Sequence, residues 1–204
     1  MKTLIGIPCR DDIKVSFVEN LNKLMRTGAT DIKFSRSGLV FDARDEICAE
    51  AINKGYTHVL FIDSDMTFAP DSLLLASARD KDILTGLYFK RREPIEPVVY
   101  KKIKMRDETD AYAITETDID REIFRVEGCG MGFCLIKVEV LKKIYEKYGT
   151  CFAPLLGLGE DFSFCERAKW EGFEVWCDSV IQLGHVGEYE YTKKDYIKSL
   201  EGRD

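Results

Sequence analysis

Asp63 and Asp65 have more chemistry to offer than any other pair in this sequence. They close an apolar run, His58-Val59-Leu60-Phe61-Ile62, and only Ser64 stands between them. Such a run reads as a strand buried on both faces of a parallel sheet, and ligands gather beyond the carboxyl ends of such strands. Side chains alternate along an extended chain, so the two carboxylates are expected on one side of it. Neighbouring acids repel unless a cation lies between them. A hard divalent ion, Mg²⁺ or Mn²⁺, answers that need, because its shell takes carboxylate and phosphate oxygens together. The plain alternative is a polar turn leading into a helix begun by Pro70 and Asp71.

Three further places could join such a site. Of the two histidines, His58 begins the buried run and reads as a satisfied edge residue. His185 sits between Gly184 and Gly187 after a late strand, where nothing apolar explains it. If that strand end lies near Asp63 and Asp65, an imidazole nitrogen can complete a metal shell with them. Gly157-Leu158-Gly159-Glu160-Asp161 opens a helix over 160–171. Acids in a first helical turn are favoured by the helix dipole, so capping alone accounts for Glu160 and Asp161. Gly128, Gly130 and Gly132 precede a strand at 133–136 and permit a tight bend or close backbone approach to a ligand. They are not a dinucleotide fingerprint, because a strand follows them rather than a helix.

The elements that must position these residues follow from hydrophobic spacing. A first strand, 3–8, stops at Pro8, and Cys9-Arg10-Asp11-Asp12 forms the loop beyond it. Val15, Phe17, Val18, Leu21, Leu24 and Met25 recur at helical spacing over 14–26. Then come a strand at 31–35, a helix from Phe41 to Lys54 with Ile47, Ala51 and Ile52 inward, the strand 57–62, a helix at 70–79 and a strand at 82–85. This βαβαβαβ order predicts a parallel sheet with right-handed crossovers. Beyond Gly86 the rhythm changes. Residues 79–106 carry nine Lys or Arg against four acids, and 107–122 carry seven acids against one Arg. Residues 88–127 therefore read as excursions over the sheet edge, the acidic part a solvated hairpin tip and the basic part able to steer an anion. A helix at 138–148, strands at 173–177 and 180–183, and a helical tail at 189–200 complete the chain.

Composition narrows the class. With 204 residues, 45% hydrophobic and 32% charged, the chain reads as one soluble globular domain. A net charge of −6 and a pI near 5.2 argue against a nucleic-acid-coating surface. The apolar N-terminal stretch is too short for a signal peptide, and no run reaches membrane-spanning length. Seven cysteines without a CxxC pair read as reduced core thiols of a cytoplasmic protein, with no structural zinc site expected.

Taken together, Ile7-Pro8, Ala43-Arg44-Asp45, Asp63-Ser64-Asp65, Gly128 to Gly132, Gly159-Glu160-Asp161 and His185 resemble the GT-A fold glycosyltransferases, particularly small bacterial and phage proteins akin to family 2. The resemblance implies an α/β, Rossmann-like fold, a mostly parallel central sheet with helices on both faces. It also implies a single domain, with a nucleotide-binding half at 1–87, the excursion at 88–127, and an acceptor and catalytic half at 128–204. A nucleotide-diphosphate sugar, UDP-linked by preference, would be held through Mn²⁺ or Mg²⁺. Asp65 and His185 would ligate the ion, Asp63 would touch ribose or metal, and Pro8, Arg10, Arg44 and Ser64 would line the nucleotide pocket. Asp161, with Glu160 beside it, would be the general base of an inverting transfer. The acceptor stays open among a glycan, a protein, a small molecule and a modified DNA base. The first loop departs from the family in reading Pro-Cys-Arg-Asp where many members have Tyr-Asn after the proline.

Two other classes compete. Asp63-Ser64-Asp65-Met66-Thr67 fits the DxDxT pattern of haloacid dehalogenase-type phosphatases, with Asp63 as nucleophile, although the later Gly-Asp-x-x-x-Asp is missing. A non-catalytic sugar-binding module would keep the metal site and need no base. A nucleotidyltransferase is disfavoured, because the first loop has no glycine-rich phosphate cradle.

Overall fold

The computed structural model describes residues 1–10, 12–105, 110–114, 120–187 and 190–201. Along the chain run β1 (Lys2–Cys9), α1 (Val15–Lys23), β2 (Ala29–Arg36), α2 (Val40–Asn53), β3 (His58–Ile62), β4 (Met66–Phe68), α3 (Ser72–Ala78) and β5 (Ile83–Gly86). The second part holds β6 (Val99–Lys104), β7 (Asp110–Ile114), β8 (Ile123–Val126), β9 (Gly128–Cys129), β10 (Phe133–Lys137), α4 (Val138–Tyr148), α5 (Glu160–Trp170), β11 (Val175–Asp178), β12 (Leu183–Val186), β13 (Glu190–Thr192) and α6 (Lys193–Glu201).

Seven strands form the central sheet in the order β2-β1-β3-β10-β5-β11-β8. β1 pairs parallel to both β2 and β3, and β5 to β11. β10 runs antiparallel between β3 and β5, and β8 antiparallel on β11. The expected mostly parallel α/β sheet is thus present, with two strands reversed in it, β10 and β8, and β10 separates β5 from β3. The glycine segment delivers β10 at the carboxyl end of β3, where Phe133 pairs Ile62, so β10 runs back down the sheet against its neighbours.

Burial on both faces follows from the period-two alternation. In β3, Val59 and Phe61 join one apolar cluster with Ile47, Ile144 and Phe164, while Leu60 and Ile62 join the other with Phe17, Leu73 and Phe133. Helices α2, α4 and α5 therefore cover one face, and α1 and α3 the other. Helix α1 buries only Phe17 and Leu21 of its own span, with Leu24 just after it. Val15, Val18 and Met25 point outward, since one stripe of a helix cannot present all six apolar residues to a single face. All seven cysteines are buried thiols, outside any disulfide. No helix among the described residues is long and apolar enough to cross a membrane.

The charged excursion folds into an antiparallel β6–β7 hairpin, which β9 extends to a three-stranded sheet. Residues 106–109 and 115–119, most of the acidic tip, fall outside the described residues. The hairpin is bound to α5: Tyr100 and Tyr112 flank Phe162 at 4.8 and 4.4 Å between ring centres. Glu166 accepts from Tyr112 and pairs with Lys169 at 2.7 Å and Lys102 at 3.3 Å. A third sheet, β13-β12-β4, sits at the carboxyl edge. Here the structure corrects the spacing-based strand at 180–183. β12 begins at Leu183, because it pairs in register with β4, a three-residue strand too short to leave a periodic signal.

Candidate functional site

β3 ends at Ile62, so the two acids are not part of an extended strand. Asp63, Ser64 and Asp65 form a tight turn into β4, closed by the Met66 N–H on the Asp63 carbonyl at 3.1 Å. A turn cancels the alternation that would have aligned the carboxylates, and each acid meets a different cation. Asp63 Oδ1 accepts from Arg44 Nη2 at 2.9 Å, and Arg44 Nη1 donates to Glu160 Oε1 at 2.6 Å. Arg44 lies on α2 and is only 3% exposed. Burial opposes its charge, but Asp63, Glu160 and Asp161 outweigh that cost and raise its pKa above the ordinary value. One guanidinium so joins the end of β3 to the start of α5. Its Nε is buried without a partner.

Asp65 faces the other way. Strand β12 pairs with β4 so that His185 lies opposite Met66, and the Val186 N–H donates to the Asp65 carbonyl at 2.8 Å. This brings His185 Nε2 to 3.6 Å from Asp65 Oδ2, although 120 positions separate them in sequence. The ring is oriented from behind, its Nδ1 lying 2.9 Å from the Phe89 carbonyl, and Tyr88 meets it edge-on at 5.6 Å. Burial disfavours the imidazolium, yet Asp65 and the Phe89 carbonyl outweigh it and hold the His185 pKa above 6.5. Burial likewise works to raise Asp65, and His185 with Arg91 overcomes it, leaving the carboxyl below 3.8. The Arg91 guanidinium also sits directly on Asp65 Oδ2.

This donor set suits a divalent ion. A Nδ1–H bonded to a carbonyl leaves Nε2 free to face a metal, as ligating imidazoles require. Two ligands of one such ion, each about 2.1 Å from it, lie roughly 3 to 3.6 Å apart. Asp63 does not join them, and no group of three potential ligands forms around Asp65 among the described residues. Three such side chains do approach one another elsewhere, Asp45, Cys48 and Cys151. There the carboxylate is already occupied by the Thr150 hydroxyl and the Cys151 and Phe152 N–H groups, and burial pushes the Cys48 thiol well up. That cluster fastens the 150–152 loop to α2.

At the start of α5, Glu160 is held by Arg44, which goes beyond helix capping. Asp161 Oδ1 takes the Phe162 N–H at 3.1 Å. Burial, reinforced by the Glu160 charge and tempered by Arg44, pushes Asp161 up to about 6. A carboxyl poised near neutrality is suited to accept a proton. The glycines between β9 and β10 make room for Tyr88 and Val98: an added Cβ on Gly132 would lie 2.9 Å from Tyr88 Cζ, and one on Gly130 would meet Tyr88 Oη and lie 2.7 Å from Val98 Cγ1. Tyr88 Oη in turn accepts the Gly132 N–H at 3.1 Å.

A cleft of about 890 Å³ opens over this edge. Of the residues singled out in the sequence, Pro8, Arg10, Arg44, Asp63, Ser64, Asp65 and Glu160 line it. His185 reaches it through Asp65, and Asp161 lies one residue behind Glu160 without lining it. Arg91, Ser37 and Phe41 also line the cleft and were not singled out. The basic run at 90–92 was the only signal for Arg91; Ser37 and Phe41 left none.

No family model matches the sequence, and no curated protein matches it. Among solved structures, A197 from STIV aligns over 92% of this chain and 86% of its own, with a TM-score of 0.66 and 21% identity. S. aureus TarS 1–349 aligns over 88% of this chain and 60% of its own, with a TM-score of 0.52 and 16% identity. These likenesses show the fold, a GT-A-like α/β arrangement.

Proposed function

We propose that the chain is a glycosyltransferase that moves a sugar from a nucleotide diphosphate to an acceptor hydroxyl, with inversion. The observation that carries this is the meeting of Asp65 and His185 at 3.6 Å, on the rim of a cleft that also holds Pro8, Arg10, Arg44 and Asp63. The GT-A-like fold supports it. Asp65 and His185 would hold Mn²⁺ or Mg²⁺, which when bound supplies a Lewis acid for the departing diphosphate. Arg10, exposed on the cleft wall, offers a positive charge to the nucleotide. Arg44 positions rather than binds, because its two terminal nitrogens are spent on Asp63 and Glu160. Asp161, charged above about pH 6, takes the proton that the acceptor hydroxyl loses as it attacks. UDP-sugars are the favoured donors.

The phosphatase alternative asks Asp63 to be a nucleophile, yet its Oδ1 is bonded to a buried guanidinium, and this disfavours it. The test is a thermal-shift screen of UDP-sugars with and without Mn²⁺, in the wild type and in Asp65→Ala. A Mn²⁺-dependent rise in Tm that Asp65→Ala loses, together with its transfer activity, is the expected result. A variant that responds like the wild type removes Asp65 from the site, and no response to any nucleotide sugar overturns the function.

A further inference from the structure

We infer that Arg91 is an anion clamp that alternates between Asp65 and the leaving diphosphate, so that it competes with the divalent ion until the nucleotide arrives. This rests on the donor-site reading above. The Arg91 guanidinium lies on Asp65 Oδ2, the same oxygen that faces His185 Nε2. An ion bound between that oxygen and the imidazole meets a positive charge already in place. Like charges this close repel, so the guanidinium must leave for the ion to settle.

The surroundings favour a swing of the side chain over a shift of the backbone. The segment that carries Arg91 is pinned at its root. The Phe89 carbonyl faces His185 Nδ1, the Phe89 ring stacks on Tyr196 at 4.8 Å, and Phe89 bridges Pro97. The Lys90 N–H donates to the Glu96 carbonyl at 2.8 Å, and Lys90 Nζ pairs with Glu96 at 2.6 Å. Gly187 leaves just enough room for the Arg91 Cβ, since a Cβ of its own would come within 3.3 Å. Beyond its stem the side chain is held by Asp65 alone among the contacts described above, is 53% exposed and stands on the lip of the cleft. When released from Asp65, the guanidinium has the cleft to turn into, and its planar fork suits a diphosphate there.

The inference makes two effects of one substitution run in opposite directions. Removing the competitor strengthens the ion's hold on the empty protein, and removing the clamp weakens the nucleotide's hold on the loaded one. The experiment uses Arg91→Gln and Arg91→Lys on the full chain. Free Mn²⁺ is followed by EPR without nucleotide, and UDP binding by calorimetry at saturating Mn²⁺. For Arg91→Gln we expect Mn²⁺ affinity to rise about three- to tenfold, the scale of a part-exposed ion pair lost, and UDP affinity to fall by at least as much. Arg91→Lys keeps the charge and falls between. If both proteins bind Mn²⁺ and UDP but the two affinities move together, or neither moves, the clamp is wrong and the donor site stands. If the wild type binds neither ligand, the donor-site reading fails and takes the clamp with it.

Discussion

Replacing Asp161 by Asn should make the protein more stable and less active. In the native state this carboxyl titrates near 6, against an ordinary 3.8, chiefly because burial strips its water and Glu160 adds a like charge. The folded chain therefore holds this proton more tightly than the unfolded chain. Its contribution favours folding fully below about pH 4 and is lost as pH rises through about 6. Above that, the fold carries a desolvated charge. The gap between 3.8 and about 6, at about 1.4 kcal/mol per pH unit, corresponds to about 3 kcal/mol. Asparagine keeps an oxygen for the Phe162 N–H and removes the charge, so about 2 kcal/mol should be recovered at pH 8, or roughly 4 to 8 °C in Tm for a chain this long. Urea denaturation of both proteins at pH 8, 6 and 4 measures it. The gain should be full at pH 8 and vanish by pH 4, while turnover is lost at every pH. Equal stabilities at pH 8, or a gain that persists at pH 4, would refute the placement of a desolvated carboxylate at the start of α5.

Arg44→Met leaves Asp63 and Glu160 facing each other without their shared cation. Equilibrium unfolding at pH 7 should show a loss of about 3–5 kcal/mol, and a loss below about 1 kcal/mol would deny the bridge its role. Gly130→Ala drives a methyl into Val98 and the Tyr88 ring, and should cost about 1–3 kcal/mol by thermal melt. Paired with Tyr88→Ala, which empties that space, much of the clash term should disappear; strict additivity of the two changes would count against the contact.

The parts of the fold that repeat were legible in the sequence. The alternation of Val59, Phe61 against Leu60, Ile62 is carried by burial on two faces, and the helical stripes at 41–54 and 138–148 are one-sided. What escaped was set by partners far along the chain. β10 sits antiparallel because Phe133 meets Ile62, and nothing within 133–137 announces a direction. β4 has three residues and is a strand only because β12 lies beside it. The site divides in the same way. Residue type marked out Asp65 and His185, and their registration through β4 and β12 was invisible. Asp63 and Glu160 were legible as acids, but one guanidinium on α2 decides where they point. Arg91 was one of three successive basic residues, and only the pinned root at Phe89 and Lys90 singles it out.

The reversed strand at the centre of the sheet has a consequence for how the chain can be made. β3 and β5 both belong to the first 87 residues, yet they never touch, since β10 fills the slot between them. A ribosome that has released only that first segment has produced two strands with bare inner edges and a gap one strand wide. Such edges invite pairing with whatever is nearby. Closure waits until Phe133–Lys137 emerges some fifty residues later, so the nascent protein depends on its second half to seal its first.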